Sequence, residues 1–513
     1  MPEDFSNKRV AKNTLILYVR MFITMAIRMW TSRIVLNALG FTDQGLYNLV
    51  GGFVGFLSLL TSSINGAFGR YITFEIGRDN PDKINKVLRN ATTVQWTLSL
   101  LVLILAETAG LWFVHHKMVI PPERMHAVLI VYQLSIFSFI LGLTSSAFTS
   151  LVISYEKMNV LAGESIATAF GGLAIAFAIR HTGMDRLVLY ASLGVVLSVC
   201  SRAFYAIYCR RTFRFIHFGF SFDKKLFASI FSFAGWNSIG TSAAILRGSG
   251  TGVLLNLFGG PVANAINGIA NSVNSLVTIF IGDFTTAFNP QITKRYAAGD
   301  YPGLIRFLHQ CSKFSYSLLL VMAVPVMIHA EPLLLLWLKK IPEGTVIFAR
   351  LIIVFSLIEC ICRPLITAKN ATGEIRNYQL VVGGILLLTI PISYLFLKLG
   401  LPLWFSYIAI ILTSFGAFVA RMIMLQGSIP GWSSRRFLSR VVFRCVLATG
   451  VSFTIPLALH AVLPGTVFWT LLQCFIGFLW CCLCVCFVAC NGDERKVLKE
   501  MLISILHRIG IRK

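Results

Sequence analysis

Apolar runs of about twenty residues recur along the whole chain, each long enough to cross the roughly 30 Å hydrocarbon layer of a bilayer as a helix. Segments LLVLILAETAGLWFV (100–114) and GGILLLTIPISYLFL (383–397) are typical. A segment in lipid must satisfy its own backbone N–H and C=O groups, so only helices and closed barrels are available to it. Barrel strands read as short segments of alternating polarity. The continuous runs here therefore predict an all-α polytopic membrane protein of about fourteen spans, from 12–37 to 466–489. Composition agrees: of 513 residues, 56% are hydrophobic and only 13% charged, against about 25% in an ordinary soluble domain.

The formal charge is +24. Lys and Arg concentrate in alternate loops, among them Lys8, Arg9 and Lys12, then Arg78, Lys83 and Lys86, then Arg210, Arg211, Lys224 and Lys225, and later Arg435, Arg436 and Arg440. The intervening loop at 256–262 has none. By the positive-inside rule both termini are expected in the cytoplasm. No extramembrane segment is large enough for a nucleic-acid motif, so nucleic acid is not an expected partner. The start, MPEDFSNKRVAKN, leads into a run too long for a signal-peptide core, and no cleaved leader is expected.

Enzyme chemistry has little to stand on. There is no P-loop and no HExxH, and no pair of carboxylates suited to glycosyl chemistry. Cys474, Cys481, Cys482, Cys484, Cys486 and Cys490 crowd one apolar run without an interleaved His or carboxylate. They read as apolar filler, and neither metal nor cofactor is expected.

The chain repeats itself. LNALG at 36–40 matches LNLFG at 255–259, AFGRYIT at 67–73 matches AFNPQIT at 287–293, and EKMN at 156–159 matches EIRN at 374–377, at offsets of 219, 220 and 218. Three matches in order at nearly one offset imply a duplicated six-span unit. Six is even, so the copies are expected in parallel orientation around a pseudo-twofold along the membrane normal. The expected organisation is an N-lobe at 1–210, a basic linker at 211–227, a C-lobe at 228–427 and two further spans at 428–490. Residues 491–513 are expected to form an amphipathic basic tail on the inner membrane surface.

The first span carries Arg20, Arg28 and Arg33. An arginine near the bilayer centre costs about 2.5–3.5 kcal/mol even on insertion scales, and a guanidinium does not deprotonate. At an offset of 219, Arg28 maps onto Arg247, Asn37 onto Asn256 and Gly40 onto Gly259. Two arginines so related would face a water-filled cavity between the lobes and offer planar forks that suit phosphate. Arg20 lies about 80° from Arg28 around an ideal helix and is expected either to share its broad face or to snorkel to the cytoplasmic surface, while Arg33 lies about 140° away, as a cavity residue or one that snorkels outward. Arg70 ends the second span and reads as a cavity residue or an interface anchor. The alternative for Arg28 and Arg247 is a buried ion pair with Asp283 or Glu359. Those two carboxylates are the candidates for carrying a coupling H+ or Na+, whereas Glu107 and Glu164 are placed near span ends, at the interface. Asn264, Asn267, Asn271 and Asn274 fall on one helical stripe, as cavity-facing residues or as interhelical glue.

The run NKRVAKNTLILYVRMFITMAIRMWTSRIVLNALGFTDQGLYNLVGGFVGFLSLL, with INGAFGRYITFEIG, VIPPERM and SYEKM, resembles bacterial polysaccharide-biosynthesis flippases. These belong to the multidrug/oligosaccharidyl-lipid/polysaccharide (MOP) exporter superfamily, which also contains the MATE drug exporters. The resemblance covers spans 1–12 and is most specific over the first two hundred residues. It implies two six-helix lobes around a central cavity, alternating access, and no enzymatic step. The implied cargo is an O-antigen, capsular or exopolysaccharide repeat unit on undecaprenyl pyrophosphate, carried across the bacterial inner membrane. Implied partners are membrane lipids and polysaccharide polymerase or assembly proteins. A MATE-type multidrug/cation antiporter is the alternative. It fits less well, because the drug-exporting branch usually holds cations on cavity carboxylates, and the first and seventh spans here carry arginines instead.

Overall fold

The computed structural model describes residues 7–56, 58–116, 120–213, 219–338, 340–463, 466–489 and 495. The tail expected at 491–513 lies, apart from Arg495, outside them. The architecture is helical throughout the described residues, and eleven helices are long and apolar enough to cross a membrane. The remaining expected spans, the second, seventh and eighth, are helical as well but are richer in Gly, Asn, Ser and Thr.

The first half comprises α1 (Asn7–Phe56), α2 (Ser58–Gly77), α3 (Pro81–Leu105), α4 (Met125–Ser154), α5 (Met158–Ala178) and α6 (Arg186–Thr212). The second begins with α7 (Lys224–Ala297) and continues through α8 (Tyr301–Ile328), α9 (Thr345–Thr372), α10 (Arg376–Leu387), α11 (Thr389–Lys398) and α12 (Phe405–Gln426). Helices α13 (Phe443–Val462) and α14 (Val467–Cys484) follow. The chain divides into two compact units, Lys12–Ser238 and Ile239–Lys513 with Met1–Ala11. The division falls inside α7 rather than in the linker.

Short polar residues set the helix starts. Asn80 accepts from Lys83 N at 3.2 Å ahead of Pro81, and Asp300 accepts from Gly303 N at 2.9 Å ahead of Pro302. Each meets a donor that the first turn leaves open, and proline is tolerated there because its missing N–H is not needed. Asp223 accepts from Lys225 N and Leu226 N at 2.9 and 3.1 Å. The same residue pairs with Lys86 of α3. Nearby, Arg89 donates to the Phe220 carbonyl at 3.1 Å and Asn90 accepts from Asp223 N at 2.9 Å. The linker is thus strapped along the start of α3.

The duplication is written into the backbone. Helix α1 breaks at Gly40 (φ 77, ψ 171) and α7 at Gly260 (φ 67, ψ −163), conformations that glycine alone adopts cheaply. Asp79 (φ 52) and Gly299 (φ 74) turn the chain into α3 and α8. Both pairs are 220 residues apart. The structural partner of Gly40 is therefore Gly260, one residue beyond the Gly259 that the sequence match assigns.

Candidate functional site

Counted back from its break, Arg28 lies twelve residues before Gly40, and Arg247 lies thirteen before Gly260. One residue is about 1.5 Å of rise and 100° of rotation. The two arginines therefore share a depth in their helices but point along different directions, and their surroundings differ accordingly.

In the first unit, Arg28 and Arg33 are exposed, as is Asn37, and the two arginines have no ion pair or hydrogen bond among the described residues. Arg20 is half-buried and lies within electrostatic range of Tyr205. Tyr205 donates to Glu164 Oε2 at 3.1 Å, while Thr168 donates to Glu164 Oε1 at 2.8 Å and Ser201 to the same oxygen. This carboxylate sits six residues into α5, roughly 9 Å from the helix start, and three hydroxyls satisfy it there. The signal was present as two i, i+4 pairs, Glu164–Thr168 and Ser201–Tyr205, which put polar groups on one stripe of each helix. Glu107, in a π turn that extends α3, accepts from Gln133 at 3.1 Å. Arg70 rests over the rings of Tyr71, Phe74 and Phe233 at 4.6, 5.4 and 5.4 Å, an aromatic cradle consistent with an anchoring part.

The first unit's break is tied by charge. Arg124, just ahead of α4, pairs with Asp43 beyond Gly40 and with Asp185 at the start of α6. Arg186 donates to the Ala38 carbonyl at 2.9 Å. Asp185 also caps α6 through Leu187 N and Val188 N. Partial burial works to raise its carboxyl, but the Arg124 hydrogen bond and the cap outweigh this and hold it below the usual carboxylate range.

In the second unit, Arg247 is only 9% exposed. Its Nη1 donates to Ser414 Oγ of α12 at 3.0 Å, and its guanidinium lies 4.9 Å over the Phe355 ring. Glu359 of α9 is within electrostatic range, but among the described residues Arg247 forms no ion pair with it or with Asp283. Sequence reasoning missed the third member, Arg421 of α12, whose Nη1 lies 3.7 Å from Glu359 Oε1. Nothing in the sequence near 421 pairs it with α9; the fold alone does.

The asparagine stripe divides. Asn267 accepts from Tyr407 OH and Asn274 from Ser356 Oγ, both at 2.8 Å, so these two join helices. Asn264 and Asn271 are exposed, as is Asn256. Asp283 is buried.

A helical chain with a duplicated half, and arginines set where membrane helices rarely carry charge, can now be compared with known proteins. The polysaccharide biosynthesis protein family matches residues 10–295. The chain belongs to that family. A relative described as uncharacterized membrane protein EpsK of Bacillus subtilis (strain 168) is 21% identical over 322 residues, 62% of this chain and 63% of the relative. That match spans less than two thirds of the relative's length. Among solved structures, an outward-facing multidrug resistance MATE family transporter of the MOP superfamily aligns with a TM-score of 0.69 at 14% identity, covering 82% of this chain and 95% of that one. A MOP superfamily transporter from Pyrococcus furiosus aligns with a TM-score of 0.67 at 14% identity over 83% and 96%. Its describers report a binding pocket of reverse polarity that suggests a different function. At such identities the likeness shows the fold: this family member has a MATE-like architecture, with eleven helices long and apolar enough to make it a multi-pass membrane protein.

Proposed function

We propose that this protein is a flippase. It moves an oligosaccharide linked to undecaprenyl pyrophosphate from the cytoplasmic to the periplasmic leaflet of a bacterial inner membrane, by alternating access and with no covalent step. The observation that carries the reading is the pair of exposed guanidinium groups, Arg28 and Arg33, on a spanning helix with no described partner in a polysaccharide biosynthesis chain. Charge in a membrane segment is retained where it meets a polar pathway or a charged ligand, and guanidinium suits phosphate oxygens. Arg20 is a further contact for the same headgroup. Exposed Asn37, Asn256, Asn264 and Asn271 offer hydrogen bonds to sugar hydroxyls. Glu164, Asp283 and Glu359 are the carboxylates available for coupling to an ion gradient.

A MATE-type cation antiporter is the second reading, favoured by the architecture. Against it, α1 carries no Asp or Glu between Asn7 and Gly40, where a cation would need one.

The test is complementation in a strain lacking the protein, with surface glycan and the lipid-linked pool quantified together. Wild-type protein should restore glycan, and the Arg28→Ala/Arg247→Ala form should leave lipid-linked intermediates stranded on the cytoplasmic leaflet. Full export by that variant would remove both guanidinium groups from the account.

A further inference from the structure

The second unit contains an ion pair that is not closed. Arg421 is 5% exposed. Its Nε and Nη1 are buried and make no hydrogen bond, and neither does Glu359 Oε1, which faces Nη1 across 3.7 Å. That separation permits attraction but is too long for a hydrogen bond. Buried donors and acceptors are almost always satisfied, and leaving a charged one unmet is costly. The gap therefore has the character of a receiving site for an oxygen atom. The side chain of Glu359 is 18% exposed, so the gap can be reached past it.

The charges around this gap do not balance. Glu359 is faced by Arg421 of α12, by Arg247 of α7 and by Arg363 of its own helix. The neutral neighbours are Cys360 and Cys362 of α9, Tyr378 of α10, and Tyr316 of α8 beside Cys360. Three guanidinium groups thus converge on one carboxylate. None of the three can release a proton, so Glu359 is the group whose charge can change when another anion arrives.

We propose that Glu359 occupies an oxyanion site as a stand-in carboxylate, and that a phosphate oxygen of the cargo displaces it from Arg421 and Arg247 while the freed carboxylate takes up a proton. The proposal rests on the pyrophosphate reading above and goes beyond it. It makes proton binding and headgroup binding mutually reinforcing, because each effect implies its reciprocal. Atoms balance simply: one carboxylate oxygen leaves the guanidinium pair, one phosphate oxygen enters, and one proton from water binds the carboxylate. Loading the headgroup would then load a proton on Glu359.

The experiment uses the full-length purified protein in detergent micelles, with sodium sulfate as an oxyanion that does not itself titrate near neutrality. Calorimetry in two buffers of different ionisation enthalpy gives affinity and protons taken up together. Wild-type protein should take up close to one proton per sulfate, with binding tightening by up to about tenfold per pH unit on acidification. Glu359→Gln should bind sulfate at least tenfold more tightly at pH 8, with no proton uptake. Farnesyl pyrophosphate should displace the sulfate.

No sulfate binding by wild-type protein, binding without proton uptake, or an unchanged pH dependence in Glu359→Gln would each overturn the proposal. Should that variant fail to fold, the proton count of the unmodified protein decides alone. Sulfate that farnesyl pyrophosphate cannot displace would overturn the assignment to a lipid headgroup. Glycan export in cells is a separate readout, so failure here and failure of the flippase reading remain distinguishable.

Discussion

Arg28 and Arg247 occupy nearly the same depth in duplicated helices, yet one is exposed without a described partner and the other is buried against Ser414, Phe355 and Glu359. A shift of one residue relative to the helix break accounts for the difference, since it rotates the side chain by about 100°. The two units have similarly diverged in how they hold their breaks. Around Gly40 the ties are ionic, through Arg124, Asp43, Asp185 and Arg186. Around Gly260 the packing is apolar, with Leu403 pressed against Gly259. Duplication preserved the backbone while each copy took a different chemistry: an open cationic face in the first unit and a buried charge cluster in the second.

That contrast can be broken at several points. The largest effect is expected at Arg421. Arg421→Ala leaves Glu359 and Arg247 buried in a dismantled cluster and should cost about 3–5 kcal/mol of stability, read as a fall in melting temperature in detergent. Arg28→Ala should move the same melt by less than about 0.5 kcal/mol while abolishing export. Equal melting losses at the two positions would erase the distinction drawn between them.

Next comes Gly259. A Cβ there would lie 2.5 Å from Leu403 Cδ1 and 2.7 Å from the Ala263 Cβ. Gly259→Val should therefore destabilise the second unit by about 1–3 kcal/mol through overpacking, again read by melting. The exposed Gly45 has nothing within 4 Å of its Cβ position, and Gly45→Ala should instead stabilise slightly, by up to about 1 kcal/mol, through alanine's higher helix propensity.

The ionic tie is expected to matter less, because its members are partly exposed. Arg124→Ala should cost about 1 kcal/mol at neutral pH. The sign with pH follows from Asp185. Its carboxyl is held low when folded, so its contribution is present above the ordinary unfolded value of about 3.9 and is lost as pH falls through the depressed one. In Arg124→Ala this acid-induced loss should shrink without vanishing, since the cap bonds from Leu187 and Val188 remain. A melting series from pH 6 downward checks it. Of similar or smaller size, Tyr205→Phe removes one of three hydroxyls on Glu164 and should cost about 1 kcal/mol or less, with Thr168 and Ser201 still in place.

The sequence was informative where a constraint is local and physical. Helical spans followed from the cost of polar groups in lipid, and LNALG against LNLFG set the two halves in register to within a residue of their backbone alignment, without announcing the helix breaks at Gly40 and Gly260. That one residue was invisible, because three shared letters cannot fix the angle at which a helix presents a side chain. The buried partners were hidden for a different reason. Arg421 meets Glu359, and Ser201 and Tyr205 meet Glu164, only after separate helices pack, and no periodicity within a single helix reports on its neighbour. The Asn264–Asn274 stripe shows the same limit: its one-sided placement was readable, but not that Tyr407 and Ser356 would claim two of its four members.

The most direct test of the account is reconstitution. Purified protein in vesicles would be given a fluorescent oligosaccharide on undecaprenyl pyrophosphate, confined at first to one leaflet, and its appearance in the other would be followed over time. The account predicts transfer well above that of protein-free vesicles, and loss of that transfer in Arg28→Ala/Arg247→Ala. Transfer no faster than in protein-free vesicles, or transfer that proceeds unchanged without the two guanidinium groups, would contradict it.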